Sequence, residues 1–173
     1  MAQFVDRLIR AGKLDVRLYE EVEADPSAGG QALGVVLLSS LAAGTANVTH
    51  GGLAGLVAGA VVALLAWYIW ALLTYVIGAK LLPMPQTSTS HRELVRTLGF
   101  ASTPGLLRAA GVVPGLAGIA FLVASVWMLL ATVLAVRQAL AYTRTTRAVG
   151  VCVPGWLVHV LLMLPLFVLF GGD

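Results

Sequence analysis

From Gln31 to Gly171 the chain is a succession of long apolar stretches separated by short polar loops, and every Asp and Glu lies outside their apolar cores. Each stretch reaches about 20 residues, the length a helix needs to cross the hydrocarbon of a bilayer. The pattern predicts spans over Ser27 to Asn47, Leu53 to Ala79, residues 91–113, Leu116 to Val136 and Ala148 to Phe170. The expected fold class is all-α, an integral membrane bundle of five transmembrane helices over residues 27–173.

Ahead of the spans, residues 1–26 read as an amphipathic cytosolic arm. Phe4, Val5, Leu8 and Ile9 share one helical face; Leu14, Leu18, Tyr19 and Val22 share another, with Gly12 as the hinge. Arg7, Arg10, Lys13 and Arg17 take the polar side, so the arm is expected to lie in the headgroup plane. It serves as a topology anchor or as a docking helix for a partner. Asp25, Pro26 and Ser27 end it.

Local signals refine the spans. Asn47, Thr49, His50, Gly51 and Gly52 predict a turn, and the later half of the second span gathers Trp67, Tyr68, Trp70 and Tyr75 next to Lys80. Aromatic residues beside a basic flank suit a membrane–water interface. Ser90 with Glu93 has capping-box spacing and predicts a helix start at His91. That third segment is the most interrupted, holding Gly99, Pro104, Gly105, Arg108 and Gly111.

Composition agrees: 59% of residues are hydrophobic and 11% charged, with a mean hydropathy of +0.92, whereas soluble domains carry about 25% charged residues. Charge placement predicts orientation. Five spans with a cytoplasmic N-terminus put ten of the 11 Lys and Arg residues inside and leave Arg108 outside. The C-terminus is then on the opposite side. The first residues show no continuous apolar core of a cleavable signal, no basic stripe interleaved with aromatics suggests nucleic-acid binding, and the single Cys152 offers neither a disulfide nor metal-site spacing.

Three features are candidate sites. Gly51, Gly55 and Gly59 form a small-residue ladder on the second span, and Gly30 with Gly34 a shorter one on the first. Such ladders let helix backbones approach closely, within one chain or between chains. Pro104 and Gly105 break the third helix; Pro frees a carbonyl one turn earlier, and Ser102 and Thr103 are placed to help meet it. Arg108 and His159 are ionisable residues at depth, with no carboxylate in the spans to pair with them. Arg108 either snorkels to headgroups or holds a lipid phosphate or a partner's carboxylate. His159 is a neutral, hydrogen-bonded residue or part of a transport path. No catalytic, cofactor-binding or metal constellation is visible.

The stretch from Leu98 through Pro104 to Arg108, the run Val113 to Gly118, the pair Val126 and Trp127, and the segment Ala135 to Leu140 resemble the bacterial branch of the Yip-one domain family, the Ypt/Rab-GTPase-interacting membrane proteins. The run Tyr19 to Pro26 leading into Gln31 is also similar to that branch. The resemblance implies five membrane helices, a cytosolic N-terminus and residence in a bacterial cytoplasmic (inner) membrane. Family members in eukaryotes are linked to vesicle traffic and partner membrane proteins. The expected role is non-enzymatic: a scaffold or accessory subunit that contacts other integral membrane proteins, copies of itself or lipids. The alternative is a small transporter, channel or lipid-translocating protein using the broken third helix.

Overall fold

The computed structural model describes residues 2–45, 48–85, 87, 89–113 and 115–170, with the backbone alone for 48–51, 159–160 and 162–170. Among the described residues the chain is all helical. Seven α-helices follow in order: α1 (Ala2–Gly12), α2 (Val16–Ala24), α3 (Ala28–Gly44), α4 (Val48–Tyr75), α5 (His91–Ala101), α6 (Ala117–Ala139) and α7 (Thr145–Phe170). A π-helical turn, Val76–Leu81, continues α4, and a 3₁₀ segment, Thr103–Val112, continues α5.

Close contacts fix the directions. Ala32 lies against Gly99 and Ser39 against Gly105, so α3 runs parallel to α5 and its 3₁₀ continuation. Met128 of α6 meets Gly105, and Ser125 meets Arg108, so α6 runs back the other way. Trp70 abuts Gly155 and Gly78 abuts Val151, which sets α4 antiparallel to α7. Five segments therefore alternate in direction along one axis. The arm, the 82–90 loop and the α6–α7 turn gather at one end, called here the near end.

Two stretches are long and apolar enough to cross a membrane: Gly52–Leu81, of 30 residues and mean hydropathy 2.3, and Ala117–Ala139, of 23 residues and 2.6. Gly52 takes φ +54°, a conformation only glycine adopts readily, so the regular part of α4 starts after it. The apolar helix α3 is shorter than the 27–47 stretch that its sequence pattern predicts. α3 has 17 residues, a rise of about 26 Å.

The π turn leaves one carbonyl without a backbone donor. In a π-helix the Gly78 carbonyl would look to the amide of Pro83, which has none. The Tyr142 hydroxyl meets it instead, sharing its proton between the carbonyls of Gly78 at 3.1 Å and Leu82 at 2.9 Å. Thr87 adds a second tie, donating to the Leu140 carbonyl at 2.9 Å. Two helix ends at the near end close without glycine. Asp15 N donates to Arg10 O and Leu14 N to Ala11 O, with Leu14 at φ +60°. Tyr142 N donates to Arg137 O and Ala141 N to Gln138 O, with Ala141 at φ +51°. Both are Schellman closures. The hinge of the arm thus sits at Leu14 and not at Gly12.

The arm packs on the bundle by only part of its apolar stripe: Phe4 and Leu8 lie against the core, and residues outside the stripe join them. Val5 and Ile9 are about half exposed, at 51% and 52%, while Arg7 is 2% exposed and Ala11 is fully buried. Burial of Arg7 is tolerated because its fork is filled. Nε donates to Glu21 at 2.9 Å, Nη2 to Asp25 at 2.7 Å and Nη1 to the Gln31 amide oxygen at 3.0 Å. Arg10 completes the cluster, bonding Asp15 at 2.8 Å and Glu21 at 2.6 Å. Leu18, Tyr19 and Val22 of α2 share one face, as the pattern predicts, but that face enters the core and does not lie in a headgroup plane. Arg96 of α5 donates to the carbonyls of Val22 and Glu23, where cations suit a helix C-terminus.

These contacts set the arm's response to acid. Hydrogen bonds from Ser27 and then from Arg7 hold the Asp25 carboxyl down to about 2. Arg10 first, then Arg7 against the cost of burial, lowers Glu21, and Arg10 lowers Asp15. Glu23 goes the other way, raised by burial and by Glu93. A depressed carboxyl contributes stability that is present above its unfolded value, near 4, and is lost as pH falls through the folded one. Three depressed groups oppose one raised group, so docking of the arm should on balance lose stability in acid. It should weaken between about pH 4 and pH 2. A spin label at exposed Arg17 would gain mobility across that interval, and an unchanged spectrum would contradict this account.

Candidate functional site

The third segment is built to break. Ser90 Oγ accepts the Glu93 amide at 3.3 Å and the Ser90 amide donates to Glu93 Oε2 at 2.6 Å, the capping box that starts α5. At Ser102 the backbone tightens into the 3₁₀ segment, with Pro104 near its start. The carbonyl that an α-helix would offer to the absent Pro104 amide is that of Phe100. It accepts the Thr103 hydroxyl at 2.7 Å, while Ser102 Oγ donates to the Leu98 carbonyl at 3.2 Å.

Small residues let this broken segment press onto α3. A Cβ at Gly99 would lie 2.7 Å from Ala32 Cβ, and one at Gly105 would collide with Ser39 and stand 2.9 Å from Met128 Sδ. Next to this contact lies a cavity of about 40 Å³ lined by Ser39, Ser40, Trp67, Ser102, Arg108 and Met128, among others. It is large enough for a water or two and too small for an organic solute.

Arg108 is half-buried at the cavity. Nη2 lies 3.3 Å from Ser125 Oγ, the guanidinium sits 4.9 Å above the Phe121 ring, and Nε is buried without a hydrogen-bond partner. No ion pair reaches it among the described residues. The hydroxyls and the guanidinium can hold water or an anionic oxygen. Among the described residues no group of three His, Cys, Asp or Glu is arranged for a metal.

The other candidates do not join this site. Gly55 and Gly59 are half-buried on α4, where Ala60 and Leu56 are met by Gly44 of α3; a Cβ at Gly44 would lie 2.5 Å from the Leu56 carbonyl oxygen. Gly44 thus makes the close α3–α4 approach. Gly30 and Gly34 face open space. The surroundings of Gly51 and the side chain of His159 lie outside the described residues.

The structure brings forward a histidine that the pattern marks only as a helix start. His91 packs edge-on against Tyr68 at 6.2 Å and Tyr75 at 5.4 Å, with Nε2 buried and unpartnered. The spacing of Tyr68 and Tyr75, seven residues and so one face of α4, is the signal that could have found this pocket.

Thr103→Val should remove the hydroxyl that donates to the buried Phe100 carbonyl, costing about 0.5–1.5 kcal/mol. Thr103→Ser should cost much less. Chemical unfolding of the two variants in the same detergent would compare them directly; equal stabilities would show that the hydroxyl does not repair the break. Comparison with protein-family models, with characterised proteins and with solved structures finds no match to this chain.

Proposed function

We propose that this chain is an integral membrane protein of five spans, with a cytoplasmic N-terminus and the C-terminus opposite, that acts by contact. It is a non-enzymatic scaffold or accessory subunit, as the resemblance to the bacterial branch of the Yip-one family implies, in a bacterial cytoplasmic membrane. The observation that carries this reading is α4. In the most apolar 18-residue window of its stretch Gly52–Leu81 only 11% of the residues are buried, and Leu53, Val57, Val61, Val62, Leu65 and Leu72 are exposed and free to meet lipid or another protein. In water such a helix would be a large unprotected apolar surface.

Geometry supports five spans. The 3₁₀ segment rises about 2.0 Å per residue against 1.5 Å in an α-helix. The 11 residues of α5 and ten of the 3₁₀ segment therefore cover about 36 Å if collinear, enough for hydrocarbon. The ten basic residues other than Arg108 belong to the arm, the 82–90 flank and the α6–α7 turn, all at the near end. That distribution suits a cytoplasmic near end.

If Gly55 and Gly59 form a contact surface, the double variant Gly55→Leu/Gly59→Leu should lower recovery of a stoichiometric partner or homomer from native membranes on the order of tenfold. Circular dichroism checks that the variant is folded. Full recovery with a folded variant would remove this interface.

A second reading, a small transporter, channel or lipid-translocating protein, is favoured by one observation: Ser102 and Arg108 of the broken segment meet Ser39 and Ser40 of α3 at one small cavity. Arg108→Ala should then abolish flux or lipid scrambling in liposomes while leaving assembly intact. Wild-type protein inactive over a broad panel of solutes and lipids would remove this reading.

A further inference from the structure

A second cavity lies at the other side of α6. It is an open groove of about 570 Å³ between α6 and α7, walled by Leu130, Val133 and Leu134 on one side and Val149 and Trp156 on the other. Leu14, from the turn between α1 and α2, closes its near end. Apart from the Thr145 hydroxyl and the Cys152 sulfur, these walls are hydrocarbon or indole. The volume falls in the range of ligand pockets. A transmembrane helix of 10 Å diameter and 30 Å length fills about 2,400 Å³, so the groove suits a single hydrocarbon chain and not a helix.

The near end of the groove carries uncompensated positive charge. Arg137 follows Val133 and Leu134 by one turn on α6, and its Nη1 lies 3.4 Å from Thr145 Oγ1. Accepting from Arg137 leaves the Thr145 hydroxyl its own proton to donate. Arg144 adjoins it and is exposed, and Lys13 adjoins Leu14 across the groove. Among the described residues the ion pairs belong to Arg7 and Arg10 alone. Asp6, Asp15, Glu21 and Asp25 of the arm are therefore engaged elsewhere, and among the described residues neither Arg137 nor Arg144 is in an ion pair.

We propose that this groove is a site for an anionic phospholipid, with one acyl chain along α6 and α7 and the phosphate held by Arg137 and the Thr145 hydroxyl. Basic pockets between helices at the cytoplasmic face recognise anionic headgroups in this way. The inference rests on the membrane reading above, whose near end is cytoplasmic. Arg144 and Lys13 add long-range attraction at the mouth, whereas Arg137 and Thr145 fix the phosphate by direct hydrogen bonds. The charged fork suits a phosphate oxygen pair and a hydrocarbon wall suits the tail, so a zwitterionic lipid of the same chain length should bind less well.

The test uses the full chain in a mild detergent, offered phosphatidylglycerol and phosphatidylcholine of matched chains and read by native mass spectrometry. One phosphatidylglycerol should be retained in preference, and Arg137→Gln should lower that preference about fivefold. Val133→Trp, which fills the groove, should reduce retention of both lipids. Equal retention of the two lipids by the wild-type chain, or an unchanged preference in Arg137→Gln, would overturn the site. So would a homodimer that excludes both, since the groove would then belong to a second copy. An alkaline carbonate wash separates the two levels of the argument. Release of the chain from membranes sinks the membrane reading and this site together; a chain that stays in membranes yet shows no lipid preference sinks this site alone.

Discussion

The parallel contact between α3 and the third segment is the constraint on which most of the architecture depends. It requires that nothing project from Gly99 and Gly105 toward Ala32 and Ser39. Close approach brings dispersion contact that lipid does not better, and it leaves backbone carbonyls without water. The change from α to 3₁₀ at Ser102 is compatible with that proximity only because two hydroxyls, those of Ser102 and Thr103, stand within reach of the freed carbonyls. The position of Arg108 follows. It lies five residues past the break, facing α6 and not the open side, because the tightened segment turns it toward Ser125.

Electrostatics is confined to one end of the molecule. Arg7 and Arg10 engage Asp6, Asp15, Glu21 and Asp25 of the arm, and Arg96 caps the end of α2 from α5. A guanidinium with 2% exposure would be costly alone, but three acceptors fill its fork. The arm is thereby a packed part of the bundle instead of a helix lying free beside it. The densest packing is also found there, with Leu18, Leu94, Leu98, Val136 and Leu140 in one cluster. Away from the near end, the long helices are thinly covered.

Features set by short-range chemistry were legible in the sequence. The start of α5 at His91, the interruption near Pro104, the irregular entry to α4 and the extent of α6 all follow from capping, proline, glycine and hydrophobic runs. What depended on tertiary partners was not. The face of α1 that packs includes a charged residue, and no periodicity rule assigns Arg7 to an interior before Glu21, Asp25 and Gln31 are seen around it. The ladder at Gly30 and Gly34 has the spacing of a contact yet meets open space, because spacing marks a surface without saying which neighbour lies opposite. The π turn is invisible for a related reason: it is held by Tyr142, more than sixty residues away. Of the candidate site, Pro104 and Arg108 were legible, while Ser39, Ser40 and Ser125 belong to other segments and had no signal of their own.

Leu14 joins two parts of this structure. It occupies a backbone conformation that glycine would take more easily, and its side chain forms a wall of the groove between α6 and α7. A glycine there would relax the turn and leave the groove open at that end. Because one residue both closes the α1–α2 turn and walls the groove, the position of the arm and the shape of the groove are linked through it. Thermodynamic reciprocity then applies: whatever fills the groove favours the docked arm, and whatever releases the arm weakens the hold on what fills the groove, by the same factor.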